Sequence, residues 1–252
     1  MYSEVSTIDD EGRIRYRGRD LISEVMGQLS FTDAIHLVLL GETPSPAARR
    51  VLDTVLVALM DHGVTSSTLA ARMTYRAAPE AFQGAVAVGI LNSGGRVLGS
   101  MEGCGRLLST WAGEASERGA EAAASSLVAK EREAGRRFPG LGHALHEEGD
   151  LRAGRLFEVA EEEGVAGVHV QLLRAVEAEV QRTTKRLLPI NVTGAIAAVL
   201  LDVGFPWEIL RGFGILSRVP GLIAHLGEEA QTGKVGRLVR HLQDGAVWDD
   251  LG

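Results

Sequence analysis

Gly140-Leu141-Gly142-His143-Ala144-Leu145-His146-Glu147-Glu148-Gly149-Asp150-Leu151-Arg152 interrupts a chain that otherwise reads as one helix after another. Nothing about making a stable helix calls for this stretch. Its glycines free the backbone to turn and let another group approach closely. Two histidines follow, and an Asp-x-Arg pair closes the segment. A titratable ring on a tight turn, followed by a guanidinium suited to carboxylates, is a constellation for acid–base work on an anion. A helix-to-helix loop can also carry such residues without catalysis, so spacing alone leaves both readings open.

Downstream of the turn, Asp150 to about Glu163 reads as a helix. Val168 to Lys185 is the next, with Val170, Leu173, Val176 and Val180 inward, and Leu187-Leu188-Pro189 stops it. Two apolar helices follow, about Gly194–Val203 and Pro206–Leu216, and Pro220 opens a last one. Upstream, Ser30 and Asp33 suit a capped helix start, with Ile35, Val38 and Leu39 on its apolar side and Gly41 at its end. Val51, Leu52, Val55, Leu56 and Leu59 make the stripe of a second helix. Asp61-His62-Gly63 breaks the pattern, and Thr65 to Thr68 can cap a third. Residues 80–92 are almost free of charge and predict a buried helix. Gly94-Gly95 and Gly99 predict a loop before a helix at Met101 to Trp111, and Glu114 to Arg137 reads as solvated amphipathic surface. Only the first 20 residues look extended, around a turn at Asp9-Asp10-Glu11-Gly12. The fold class is all-α with a short extended N-terminal segment.

Composition narrows the function. A net charge of -7 over 252 residues argues against general nucleic-acid binding, which needs a basic surface. Cys104 is the single cysteine, which excludes an internal disulfide and thiolate metal sites and fits a reducing cytoplasm. The first residues lack the basic and apolar regions of a signal peptide. No apolar run approaches the roughly 20 residues of a membrane span, so no membrane partner is expected. His143 and His146 lack a third ligand, so no metal is expected. Gly94-Gly95 lacks the Lys-Ser/Thr of a phosphate loop. His36 and His169 read as satisfied histidines; His146 is placed equally well facing a cleft or not.

Taken in order, the blocks resemble the citrate synthase family, and its short citryl-CoA lyase branch most closely. The resemblance is carried by Ile8 to Asp20, by Ser30-Phe31 through Pro44, and by Asp61-His62 followed by Ser67-Thr68-Leu69-Ala70-Ala71-Arg72. It continues in Gly140 to Arg152, with Leu151 where the family has proline, in Pro189-Ile190-Asn191-Val192-Thr193-Gly194, and in Ser217-Arg218-Val219-Pro220-Gly221-Leu222-Ile223-Ala224-His225. The order is collinear over nearly the whole chain. The resemblance implies a large helical domain (1–104 and 193–252) and a small lid-like helical domain (105–192). It also implies a homodimer with an active site in the cleft between domains, completed by the partner subunit.

The resemblance further implies thioester chemistry: joining acetyl-CoA to oxaloacetate, or cleaving citryl-CoA. Coenzyme A would be a co-substrate, with no group held covalently. His62, Arg152 and Arg218 fall at the family's substrate-binding positions. Arg240, or else Arg237, would reach the partner's site. Arg137, Gly140, Leu141 and Gly142 would run along the pantetheine arm, with Lys185, Arg186 and Asn191 also on coenzyme A; a solvated helix end explains Lys185 and Arg186 equally well. His143 falls at the histidine that handles the ketone or alcohol oxygen. Glu102 stands where the family has an enol-stabilising histidine, and Thr193 where it has its aspartate base. A threonine hydroxyl is no base near neutral pH without an activating partner. Glu102, Glu147 or Glu148 could replace it. The alternatives are another acyl-CoA substrate, or a catalytically weak protein that binds coenzyme A and polycarboxylates.

Overall fold

The chain begins by folding on itself in the expected place. In the computed structural model, which describes residues 3–142 and 149–245 apart from the side chains of residues 96 and 97, β1 (Ser6–Ile8), β2 (Ile14–Tyr16) and β3 (Arg19–Asp20) form one antiparallel sheet in that order. Its register pairs Ser6 with Tyr16 and Ile8 with Ile14. The Asp9 carboxylate closes the first turn by accepting from the N–H groups of Glu11 (3.1 Å) and Arg13 (2.9 Å), with Gly12 at φ +77°. Among the described residues all other regular elements are helical, as the sequence predicts.

The helices are α1 (Phe31–Leu40), α2 (Pro46–Ala58), α3 (Ser66–Ala77), α4 (Phe82–Leu91), α5 (Gly99–Arg118), α6 (Ala120–Glu133), α7 (Leu151–Glu162), α8 (Val168–Thr184), α9 (Val192–Asp202), α10 (Leu210–Thr232) and α11 (Lys234–Asp244). The chain divides into two units: residues 1–55 with 101–210, and residues 56–100 with 211–252.

In the first unit, α9 is the core. It is hydrophobic all round, and Ala195 to Leu200 are fully buried, as expected of such a helix. Helices α7 and α8 both pack on it, and α6 packs on α8, whose predicted inward residues Val170, Leu173, Val176 and Val180 are buried. Asp202, at the end of α9, accepts from the N–H groups of Gly167 (2.7 Å), His169 (3.0 Å) and Val170 (3.0 Å), and meets His169 Nδ1 at 2.8 Å. One carboxylate therefore supplies the acceptors that the start of α8 lacks. A side chain on Gly167 would lie 2.7 Å from that carboxylate, so glycine is required there. Helix α1 starts at the predicted Ser30–Asp33 capping box and ends at Gly41 (φ +90°). His36 is buried and satisfied: its Nδ1 lies 2.7 Å from the Glu42 carbonyl and its ring sits edge-on to Phe205.

In the second unit, α3 and α4 pack together, and Ala71, Ala85, Leu222 and Leu226 form a fully buried centre. Gly89 lets α4 approach: a Cβ there would lie 2.6 Å from Leu222. Ser67 Oγ donates to the Gly89 carbonyl at 2.5 Å across the same contact. A Thr65–Thr68 capping box starts α3.

Four local expectations are corrected. Pro220 does not open a helix; it lies inside α10. An internal proline loses one hydrogen bond and costs about 3 kcal/mol, which the burial of Leu222 and Leu226 offsets. Helix α10 is consequently long: Trp207–Thr232 is long and apolar enough to cross a membrane by length and composition alone. It carries the core of its unit and a buried Arg218. Second, residues 94–98 form a helical turn running straight into α5, because Gly99 itself takes a helical conformation. The break in the following charged stretch falls at Gly119 (φ +90°). Third, α4 is not buried all round: only Ala85 and Gly89 are, and Leu91 is 77% exposed. Fourth, α5 extends to Arg118, well past Trp111.

Candidate active site

The turn at residues 140–142 is held against the start of α9 by backbone. Asn191 N–H donates to the Gly140 carbonyl (3.0 Å), Gly142 N–H donates to the Pro189 carbonyl (2.7 Å), and Leu141 bridges Ile190. The approach is so close that glycine is required on both sides. Gly140 lies at φ +87°, and a Cβ on it would be 2.7 Å from Cys104 Sγ and 2.8 Å from Gly194 Cα. A Cβ on Gly194 would lie 2.5 Å from the Gly140 oxygen. Burial of the Cys104 thiol against this contact pushes its pKa up to about 12, which keeps it protonated and unreactive.

Asn191 spends its whole side chain here. Its Oδ1 accepts from Gly194 N–H (3.1 Å), capping α9, and from Thr193 Oγ1 (2.7 Å), while its Nδ2 donates to the Gly142 carbonyl (2.7 Å). The Thr193 hydroxyl is thus a donor to an amide oxygen, with no base drawing off its proton in that bond. Glu102 is half-buried in the first turn of α5, next to Gly103 and Cys104, which touch Pro139 and Gly140. Arg137 is exposed at the entry to the turn. His143, together with His146, Glu147 and Glu148, lies outside the described residues.

Asp150 joins the start of α9 to the start of α7. Its side chain is 1% exposed and accepts from Val192 N–H (3.0 Å) at the start of α9 and from Arg152 N–H (3.1 Å) at the start of α7. It also takes a two-pronged contact from the Arg152 guanidinium, Nε at 3.0 Å and Nη2 at 2.9 Å. Burial works against its ionisation most strongly. The Arg152 guanidinium and the Val192 and Arg152 N–H groups outweigh it, leaving the pKa below its usual value. Arg152 is thereby aimed by a fixed carboxylate while remaining 27% exposed. Lys185 ends α8 in the left-handed conformation (φ 59°), shared by only one other non-glycine among the described residues, Arg17. Both Lys185 and Arg186 are exposed.

The second unit holds the other predicted residues. His62 is half-buried in the loop between α2 and α3, and Arg218 is buried on α10. Near them α10 presses on the loop: a Cβ on Gly221 would lie 2.2 Å from the Met60 carbonyl. Beside that contact is an open hollow of about 410 Å³ between Met60–Asp61 and Pro220–Gly221, with His225 and Glu228 on its wall. Arg240 and Arg237 are exposed on α11.

Sequence reading missed a charged network in this unit. The buried Arg72 donates to His225 Nδ1 from Nε (3.1 Å) and Nη2 (2.6 Å), to Glu229 from Nη1 (3.4 Å), and to Glu228. His225 Nε2 meets Asp61 Oδ1 at 3.0 Å. Lys234 and Arg72 together lower the Glu228 pKa to about 2. Arg72 and His225 both lie in blocks that carry the resemblance, which was the available signal. Their pairing across 153 positions was not legible.

The chain is similar in sequence and fold to known proteins. Residues 39–240 match the sequence profile described as "Citrate synthase, C-terminal domain". Citrate synthase 2 of Bacillus subtilis is 26% identical over 206 residues, covering 81% of this chain and 52% of that protein. The chain thus spans about half the length of this curated relative. The structure of citryl-CoA lyase from Hydrogenobacter thermophilus is similar with a TM-score of 0.83 and 33% identity, over 92% of this chain and 88% of that one. ATP citrate lyase from Methanothrix soehngenii, solved with citrate and coenzyme A, has a TM-score of 0.78 at 22% identity, over 100% of this chain and 42% of that one; this likeness speaks to the fold alone. The chain belongs to the citrate synthase family.

Proposed function

We propose that this protein makes or breaks a carbon–carbon bond between an acyl-CoA and a 2-oxo acid, of the acetyl-CoA and oxaloacetate type. In the forward sense a base removes an α-proton of the thioester. The resulting enolate carbon attacks the ketone carbon, and the ketone oxygen takes up a proton. The reverse is retro-Claisen cleavage and needs the same groups. The observation that carries this reading is the Asp150–Arg152 pair at the start of α7. It holds a partly exposed guanidinium by its Nε–Nη2 edge, which leaves the Nη1 side to meet a carboxylate. His62, Arg152 and Arg218 hold the carboxylates of the 2-oxo acid, with Arg240 supplied by a partner subunit. His143 handles the ketone oxygen. Coenzyme A lies along Arg137 to Gly142, with Lys185 and Arg186 toward its phosphates and residues 105–192 as the lid. Asn191 serves this site by holding the turn and the start of α9 together.

A second reading, a weakly catalytic binder of coenzyme A and polycarboxylates, is favoured by one observation: the Thr193 hydroxyl donates to the Asn191 amide oxygen, which is no base and cannot activate it to take the substrate proton. Replacing Thr193 with Asp separates the two. General-base catalysis contributes on the order of 10²-fold or more. Citryl-CoA cleavage in a single-turnover assay is therefore expected to rise by about that factor in T193D. A wild type that cleaves as fast as T193D has another base, with Glu102 the first to replace by Gln. Coenzyme A binding by calorimetry without turnover in either protein supports the binding reading. Binding of neither coenzyme A nor citrate overturns both.

We also infer a homodimer, formed through the second unit. Helix α4 carries no charge, yet Phe82 and Leu91 are exposed, as are Met73 of α3 and Ile223 of α10. Exposed apolar side chains on three helices of one unit are what an interface would cover. Sedimentation velocity is expected to give a dimer for the wild type and a monomer for the variant Ala87→Arg, whose exposed position would put a charge into that face. A monomeric wild type overturns the assignment.

A further inference from the structure

The charged network of the second unit ends at the residue before His62. Arg72 has only donors, so the His225 Nδ1 it contacts must carry a lone pair. The ring proton is therefore on Nε2, where it is donated to Asp61 Oδ1 at 3.0 Å. Asp61 in turn grips the loop: its Oδ2 accepts from Gly63 N–H at 2.9 Å, and the His62 N–H also faces the carboxylate. These bonds set the backbone angles on either side of His62, and hence the direction in which its side chain leaves the loop. The other end of the relay is firm. Arg72 is buried and held by Glu228 and Glu229, and Glu229 is itself buried, accepting from Val235 N–H at 3.1 Å. The close contact of Gly221 with the Met60 carbonyl fixes the loop from the other side.

We propose that His225 is a positioning residue for His62, acting through Asp61, with Arg72 selecting the tautomer in which it can do so. The functional consequence rests on the substrate-binding role of His62 given above; the positioning does not. Polycarboxylate affinity should depend on His225 while coenzyme A affinity does not, because the groups assigned to coenzyme A are in the other unit.

Two variants divide the ring's two contacts. In H225N an amide oxygen can stand at the Nδ1 position and keep Arg72, but no donor reaches Asp61. In H225Q an amide nitrogen can stand at the Nε2 position and restore that donor. Long-range proton–nitrogen spectra of ¹⁵N-labelled wild type are expected to show His225 protonated at Nε2 and bare at Nδ1. The ring signals of His62 should shift or broaden in H225N and return toward wild type in H225Q. By calorimetry, the Kd for citrate should rise about tenfold in H225N, the worth of one hydrogen bond to a charged group, and that for coenzyme A should stay within about twofold. Unmoved His62 signals in H225N overturn the proposal, as does an Nδ1-protonated His225. A parallel loss of citrate and coenzyme A affinity overturns it too, since that marks general damage. If wild type binds neither ligand, the functional reading falls, and the His62 signals still decide the positioning.

Discussion

Gly194→Ala is expected to destabilise the protein by about 2–4 kcal/mol, net of the roughly 1 kcal/mol by which alanine favours a helix over glycine. The reason is distance. The new methyl would sit 2.5 Å from the Gly140 oxygen and 2.8 Å from its Cα, and neither is the movable end of a side chain. Relief requires the 140–142 turn to move away from α9. Overpacking of this sort costs about 1–3 kcal/mol. The turn's backbone bonds to Asn191 and Pro189, worth about 1 kcal/mol each, would stretch with it. For a domain of this size that corresponds to a fall in Tm of roughly 10 °C, read by calorimetric melting. Gly154→Ala in α7 is the control: nothing lies within 4 Å of a Cβ there. It should be neutral or slightly stabilising. Equal losses in the two variants would mean that the close approach of turn and helix is not what selects glycine at 194.

Asp150→Ala should cost about 3 kcal/mol and weaken polycarboxylate binding together. The carboxylate is buried and serves four donors: the N–H groups of Val192 and Arg152 and two nitrogens of the Arg152 guanidinium. Its removal orphans the Val192 N–H and releases Arg152 from its fixed direction, and buried polar groups left unpaired cost about 1–3 kcal/mol each. Asp150→Asn preserves an acceptor but not the charge and should cost less. The pH dependence has a definite sign. Because the folded-state pKa is depressed, ionised Asp150 adds stability that is complete above the unfolded pKa and is lost as pH falls through the folded one. The stability gap between wild type and D150N, measured by denaturant melts, should be constant above about pH 5 and shrink below pH 4. A gap that widens with acid would overturn the assignment of Asp150 as an ionised anchor.

Helices α1, α3, α7 and α9 were legible because their signals are local. Capping boxes sit at Ser30 and Thr65, Asp150 and Asn191 act as caps, and the apolar positions repeat with helical period. Pro220 was misread for the complementary reason. Local rules end a helix there, but the packing of Leu222 and Leu226 outweighs them. The apolar character of α4 was read correctly and its burial was not, because a helix's pattern says that it will be covered without saying by what.

The sequence by itself thus determined the helical scaffold, the order of its blocks and the residue types of the site, all properties of neighbours along the chain. Tertiary structure alone decided that Gly140 needs Gly194, that Asp150 anchors both Arg152 and the start of α9, and that Arg72 and His225 stand behind Asp61. Each of these is a contact between distant segments, set by packing distances of a few ångströms that no spacing in the sequence encodes.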